Sequence, residues 1–114
     1  MPHFIIECSE PIISLKSPSD IMQNVYNTAE SSGLFNKGDI KVRINPYKYY
    51  NTGNTKDDFI HVFAYIMEGR STEEKSTLTS RIISMLKNMF PNLPIVSINI
   101  KDFEKSTYCN KFMI

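Results

Sequence analysis

Apolar and polar residues alternate from the second residue onward. Pro2, Phe4 and Ile6 fall on one side, His3, Ile5 and Glu7 on the other. A period of two marks a strand with one face turned to a core, so the chain opens on a strand. The period becomes helical at Ile21, Met22, Val25, Tyr26 and Ala29, which share one face. Ser17-Pro18-Ser19-Asp20 writes the start of that helix: a serine cap, proline at the first helical position and an acid three residues after the cap. Gly33 closes it. Alternation then returns, with Ile40, Val42 and Ile44 against Lys41, Arg43 and Asn45. Pro46 is expected to stop regular pairing, and Asn51-Thr52-Gly53-Asn54 reads as a loop.

The second half repeats this grammar. From Asp58 to Met67, Phe59, His61, Phe63, Tyr65 and Met67 alternate with Ile60, Val62, Ala64 and Ile66. Both sides are largely apolar, as in a central strand covered on two faces. Ser71-Thr72-Glu73-Glu74 is a capping box, and Leu78, Ile82, Met85, Leu86 and Met89 form the helical stripe behind it. Pro91 and Pro94 break the helix before a last strand carrying Val96, Ile98 and Ile100. Ser17 and Ser71 lie 54 positions apart, and so do Val42 and Val96, and Ile44 and Ile98. Residues 1–114 therefore form a single domain with an architectural repeat, about 2–47 and 58–102, and a C-terminal arm at about 104–114. The expected fold class is α+β: two β-α-β units making one four-stranded mixed sheet with two helices on one face. Right-handed crossovers put both helices on the same side and leave the other bare. That bare face would carry Lys41, Arg43 and the aromatic row, and packing against other copies is the natural way to cover it.

Composition narrows the function. A net charge of +1 gives no footprint for a polyanion, so nucleic acid and anionic membranes are not expected partners. No apolar run approaches the roughly 20 residues that span a bilayer, and no basic-then-apolar leader is visible. Cys8 and Cys109 lack metal or redox spacing and read as free thiols of a cytoplasmic protein. With only His3 and His61 beside them, no metal site is expected. Histidines on a packed strand are usually structural.

Chemistry concentrates at the amino end. Proline at the second position permits removal of Met1, which would leave Pro2 with a free secondary amine. The pyrrolidine ring fixes φ and so holds that nitrogen in place. A fixed amine, neutral near pH 7, can take a proton from a substrate and return it elsewhere. A retained methionine would turn the same nitrogen into an inert amide. Arg70, ahead of a capped helix start where free N–H groups already favour anions, is a candidate carboxylate clamp. Lys41 and Arg43, two residues apart on one strand face, are the other candidate cations.

Pro2-His3-Phe4-Ile5-Ile6-Glu7-Cys8-Ser9 closely resembles the start of 5-carboxymethyl-2-hydroxymuconate delta-isomerases, in the tautomerase superfamily, and Gly69-Arg70-Ser71 also matches that group. The resemblance implies a homotrimeric, cofactor-independent isomerase acting on a small carboxylate substrate, a ring-cleavage product with several acid groups. It implies Pro2 as the base, with Arg70 and a basic residue of the second strand binding substrate. The position matching Lys41 is arginine in the better-known members. Here either Arg43 takes that task or the substrate differs, because an ammonium does not reproduce a bidentate fork. Two alternatives stand beside this one: a phenylpyruvate- or 4-oxalocrotonate-type tautomerase, and a ferredoxin-like binding module stacking bases on Phe59, Phe63 and Tyr65.

Overall fold

Strand β1 (His3–Ser9) lies inside a four-stranded sheet of order β2-β1-β3-β4, with β2 at Lys41–Tyr47, β3 at Phe59–Met67 and β4 at Ile95–Phe103. The computed structural model describes residues 1–114. β1 pairs parallel with β2 and antiparallel with β3, and β3 pairs parallel with β4. Each parallel pair requires a crossover. Helix α2 (Pro18–Ser31) joins β1 to β2, and helix α3 (Thr72–Met89) joins β3 to β4. This is the expected pair of β-α-β units on one mixed sheet.

Local chemistry sets the helix ends. The Ser17 hydroxyl accepts from the Asp20 amide at 3.1 Å, and the chain leaves α2 through Gly33 at φ +74°, a backbone region that glycine enters freely. At α3 the capping box is complete: the Ser71 hydroxyl accepts from the Glu74 amide at 3.1 Å, and the Glu74 carboxylate accepts from the Ser71 amide at 2.8 Å. The two caps occupy the same place in the two units, as the repeat predicts.

Both helices cover the same sheet face. Phe4, Ile6, Ile60 and Val62 of the sheet and Ile21, Val25, Ile82 and Leu86 of the helices are fully buried in one core. Burying an isoleucine or phenylalanine side chain stabilises by about 1.5–3 kcal/mol, so this layer is the chief source of stability. The opposite face carries His3, Ile5 and Glu7 of β1 in register with Lys41, Arg43 and Asn45 of β2 and Tyr65, Phe63 and His61 of β3. Its aromatic residues are only half-buried. The second cover that the pattern of β3 calls for is thus not supplied by the chain itself.

Two local expectations change. Pro46 does not end pairing: β2 continues to Tyr47, with Pro46 opposite Cys8. β2 is an edge strand, where a missing N–H can face outward without breaking a ladder bond. Asp58 lies just before β3 rather than in it, and its carboxylate accepts from the buried Ser9 hydroxyl at 2.9 Å and from Tyr50 at 3.3 Å. The C-terminal arm forms 3-10 turns at Lys105–Thr107 and Lys111–Met113. A short helix, α1 (Ile12–Leu15), is additional, and it buries Ile12 beneath the core. No helix is long and apolar enough to cross a membrane.

Replacing Ser71 by alanine removes one half of the α3 capping box. The expected loss is about 1 kcal/mol, read as a fall in Tm of about 4 °C. Thermal unfolding followed by circular dichroism checks this, and an unchanged midpoint would show that the cap contributes nothing.

Candidate active site

Strand directions bring the site together. β2 starts at the same end as β1 because the two are parallel, and β3 finishes there because it is antiparallel. The segment leading into β2 and the turn leaving β3 must therefore meet at Pro2. They enclose a cavity of about 220 Å3 whose lining includes Met1, Pro2, Leu34, Phe35, Asp39 and Arg70.

Pro2 is fully buried, and its carbonyl accepts from the Lys41 amide at 3.1 Å. That bond extends the β1–β2 ladder to the first ring of the strand and fixes its nitrogen at the cavity wall. In the full chain Met1 acylates that nitrogen. Arg70 reaches across the cavity from the β3–α3 turn. Its Nη2 donates to the Leu34 carbonyl at 2.6 Å, its Nη1 donates to the Met67 carbonyl at 3.1 Å, and the guanidinium lies 5.0 Å from the centre of the Phe35 ring. A guanidinium has five N–H donors, so these two contacts position Arg70 and leave others for an anion.

Lys41 and Arg43 part company. The Lys41 Nζ lies 2.7 Å from the Met1 sulfur and donates to the Asp39 carbonyl at 3.3 Å, so its charge sits at the chain start. Arg43 is exposed on the open sheet face, where Nη1 lies 3.0 Å from Nδ1 of His3. A guanidinium can only donate, so this His3 nitrogen accepts and the ring is neutral. Burial first, then Arg43 and Lys41, hold the His3 imidazole below its ordinary pKa. The structure thus puts Pro2 and Arg70 on one cavity, sets Lys41 beside the chain start outside its lining, and leaves Arg43 two residues further along the strand.

Electrostatics at the amino end follow from the same neighbours. Burial lowers the pKa of the terminal amine of Met1; Asp39 opposes this, while Arg70 and Lys41 add to it. Asp39, Leu34 and Phe35 were not singled out by sequence. The clue was topological: any residue just before a strand parallel to β1 must lie beside Pro2. His61 bridges Ser97 at 2.6 Å and Asn99 at 2.7 Å on the open face and is far from the cavity in register. A larger hollow of about 560 Å3 between α2 and α3 is lined mainly by hydroxyl groups and Arg81, which donates to Ser31 at 2.8 Å. It holds no base.

Two β-α-β units on one mixed sheet, with a buried proline leading the first strand and an arginine in the turn that leaves the third, form a tautomerase-like fold. The model of the 5-carboxymethyl-2-hydroxymuconate isomerase family matches residues 2–110, and the chain belongs to that family. It is 26% identical over 95 residues to the 5-carboxymethyl-2-hydroxymuconate Delta-isomerase of Escherichia coli, covering 82% of this chain and 75% of that protein. In fold it is similar to a 5-carboxymethyl-2-hydroxymuconate isomerase from Deinococcus radiodurans R1, with a TM-score of 0.84 at 21% identity, over 96% of this chain and 88% of that one. The F6 fused 4-OT wild type asymmetric trimer superposes with a TM-score of 0.81 at 11% identity, over 96% and 92% of the two chains. Family membership sets aside the base-stacking module.

Replacing Arg70 by methionine leaves the Leu34 and Met67 carbonyls without this donor. The expected cost is about 1–2 kcal/mol. Faster amide exchange is expected in residues 33–39 than elsewhere in the chain. Uniform exchange across the variant would show that Arg70 does not hold that segment.

Proposed function

We propose that the chain catalyses a 1,3-proton shift in an unsaturated 2-hydroxy di- or tricarboxylic acid, of the kind that 5-carboxymethyl-2-hydroxymuconate represents. The ring nitrogen of Pro2, freed by loss of Met1, is the base. The observation that carries this reading is a buried, ladder-fixed Pro2 in one cavity with Arg70. Met1 lines the same cavity, so its removal both uncovers the amine and widens the hollow.

In the forward direction the neutral amine takes a proton from the substrate dienol. The resulting dienolate carries negative charge toward its carboxylate end, where Arg70 and Lys41 offset it. The pyrrolidinium then returns the proton to the distal carbon, and the conjugated keto acid leaves. The step is balanced in protons and electrons without a metal or an organic cofactor. Arg43 holds a substrate carboxylate at the outer end of the cavity once a second copy closes over the sheet face. We infer a homotrimer for the same reason: the half-buried row of Phe63, Tyr65 and Phe103 is the surface its copies would cover. A cytoplasmic location belongs to this reading and is supported by two free thiols. A second reading keeps Pro2 and changes the acid, as in a phenylpyruvate- or 4-oxalocrotonate-type tautomerase. Lys41 in place of arginine favours it.

Dienol ketonisation tests the base. The Pro2→Ala variant should lose at least about 100-fold in kcat, the scale of positioned acid–base catalysis. Equal rates in variant and parent would remove Pro2 from the mechanism. Burial, opposed by Asp39 and aided by Arg70 and Lys41, lowers the pKa of the Met1 amine; a Pro2 amine among the same neighbours should give a kcat/KM that rises with pH through an ionisation below the ordinary α-amine range of about 7.7–8.0 and levels off above it. An inflection at or above that range would contradict the assignment.

Native mass spectrometry tests the assembly. The expected particle is three times the 13.2 kDa chain, each copy lighter by one methionine. A monomer, or full retention of Met1 in protein made by its own host, would overturn this part of the proposal.

A further inference from the structure

A second cavity, of about 470 Å3, lies at the other end of the sheet, where β1 finishes and β3 begins. The seven residues of β1 separate it from Pro2 by roughly 20 Å at the rise of a strand. Leu15 and, from the turn between α3 and β4, Met89, Phe90 and Leu93 supply apolar walls. Leu15 is 65% exposed there, so its own chain does not cover it. Asp58 and Lys16 are the two charged residues of the lining. Asp58 is held in place: the fully buried Ser9 hydroxyl donates to its Oδ1 at 2.9 Å and accepts from the Phe59 amide at 3.2 Å, and Tyr50 donates to the same Oδ1 at 3.3 Å. Both bonds to Asp58 end on one oxygen, and no donor of the chain reaches Oδ2. Lys56 lies 4.6 Å over the Tyr50 ring instead, and the one salt bridge of the chain joins Lys75 to Asp102. Asp58 and Lys16 therefore share a cavity without pairing with each other.

We propose that this cavity binds a free α-amino acid with an apolar side chain, its ammonium on Asp58 and its carboxylate on Lys16. A carboxylate and an ammonium that leave each other unpaired accept one ligand group of each sign, and the walls accept a hydrocarbon. An apolar α-amino acid carries those three parts in one small molecule. As a zwitterion it adds no net charge to a lining that has none. An organic cation alone would meet Lys16, and an anion alone would meet Asp58. The volume, and apolar walls with a few placed polar groups, are those of small-molecule sites in general. The two charges contribute unequally. Asp58 is half-buried and oriented before any ligand arrives, so its contact with an ammonium is worth roughly tenfold in affinity. Lys16 is exposed on a flexible stem, and its contact is worth roughly threefold. The site is independent of the isomerase reading, because it shares no residue with the Pro2 cavity.

Titration of the whole protein, followed by NMR amide shifts, tests the site. The probes are L-phenylalanine, phenethylamine, which lacks the carboxylate, and 3-phenylpropionate, which lacks the ammonium. L-Phenylalanine should move the amides of residues 15, 16, 58, 89, 90 and 93. It should bind roughly tenfold more tightly than 3-phenylpropionate and roughly threefold more tightly than phenethylamine. Asp58→Asn keeps an oxygen for Ser9 and Tyr50 but removes the charge. It should close the gap to 3-phenylpropionate and keep the gap to phenethylamine. Lys16→Met, at an exposed position, should do the reverse. Equal affinity of the parent for all three compounds overturns the proposal, as do gaps that both substitutions leave unchanged. Shifts confined to the Pro2 end, or none with millimolar L-phenylalanine, overturn it too.

Discussion

The hydrogen bond from the Lys41 amide to the Pro2 carbonyl, at 3.1 Å, is the constraint on which the site depends. Chain termini are ordinarily the least ordered part of a domain, since nothing ties them down. Here the second residue is paired into the sheet, so the ring nitrogen has no freedom to leave its pocket. The same bond sets the register of β2 against β1, which puts Lys41 beside the chain start and Arg43 two residues further along the strand. One ladder contact thus decides both where the candidate base sits and which cation it meets.

The asymmetry of the sheet has an equally simple origin. Both β-α-β units send their helices to one face, so that face becomes a closed core, with Ile6, Val62, Ile82 and Leu86 wholly excluded from solvent. The other keeps an unpaired row of aromatic and charged residues that a lone chain leaves half in water. Polar groups there already pair with one another: Tyr47 donates to Glu7 at 2.8 Å, and that bond pushes the phenol's pKa up. His61 is held between Ser97 and Asn99. A face whose polar side chains are satisfied and whose apolar ones are not is suited to contact with further protein.

Charge at the cavity is finely divided. Arg70 is anchored by two backbone carbonyls and a ring, so its position is set before any ligand arrives. Lys41 contributes a point charge with less directional demand. Asp39 subtracts from both. The amino end therefore carries charges of both signs around one buried proline.

Much of this was written along the chain. The strand and helix periods, the caps at Ser17 and Ser71 and the repeat between halves are local signals, and the caps and elements appear where those signals placed them. Pro2 and Arg70 were legible too, because a proline leading a strand and an arginine before a capped helix each have a chemistry of their own. The continuation of β2 through Pro46 was not, since edge or centre is a property of the assembled sheet rather than of the proline. Nor were Asp39, Leu34 and Phe35, which carry no motif and reach Pro2 only because β2 runs parallel to β1. The separation of Lys41 from Arg43 needed the register as well. Sequence determined the elements and marked the candidate residues, because backbone propensity and side-chain chemistry are local; tertiary structure alone decided which of those residues share a cavity, because strand order and direction set distances that no local pattern encodes.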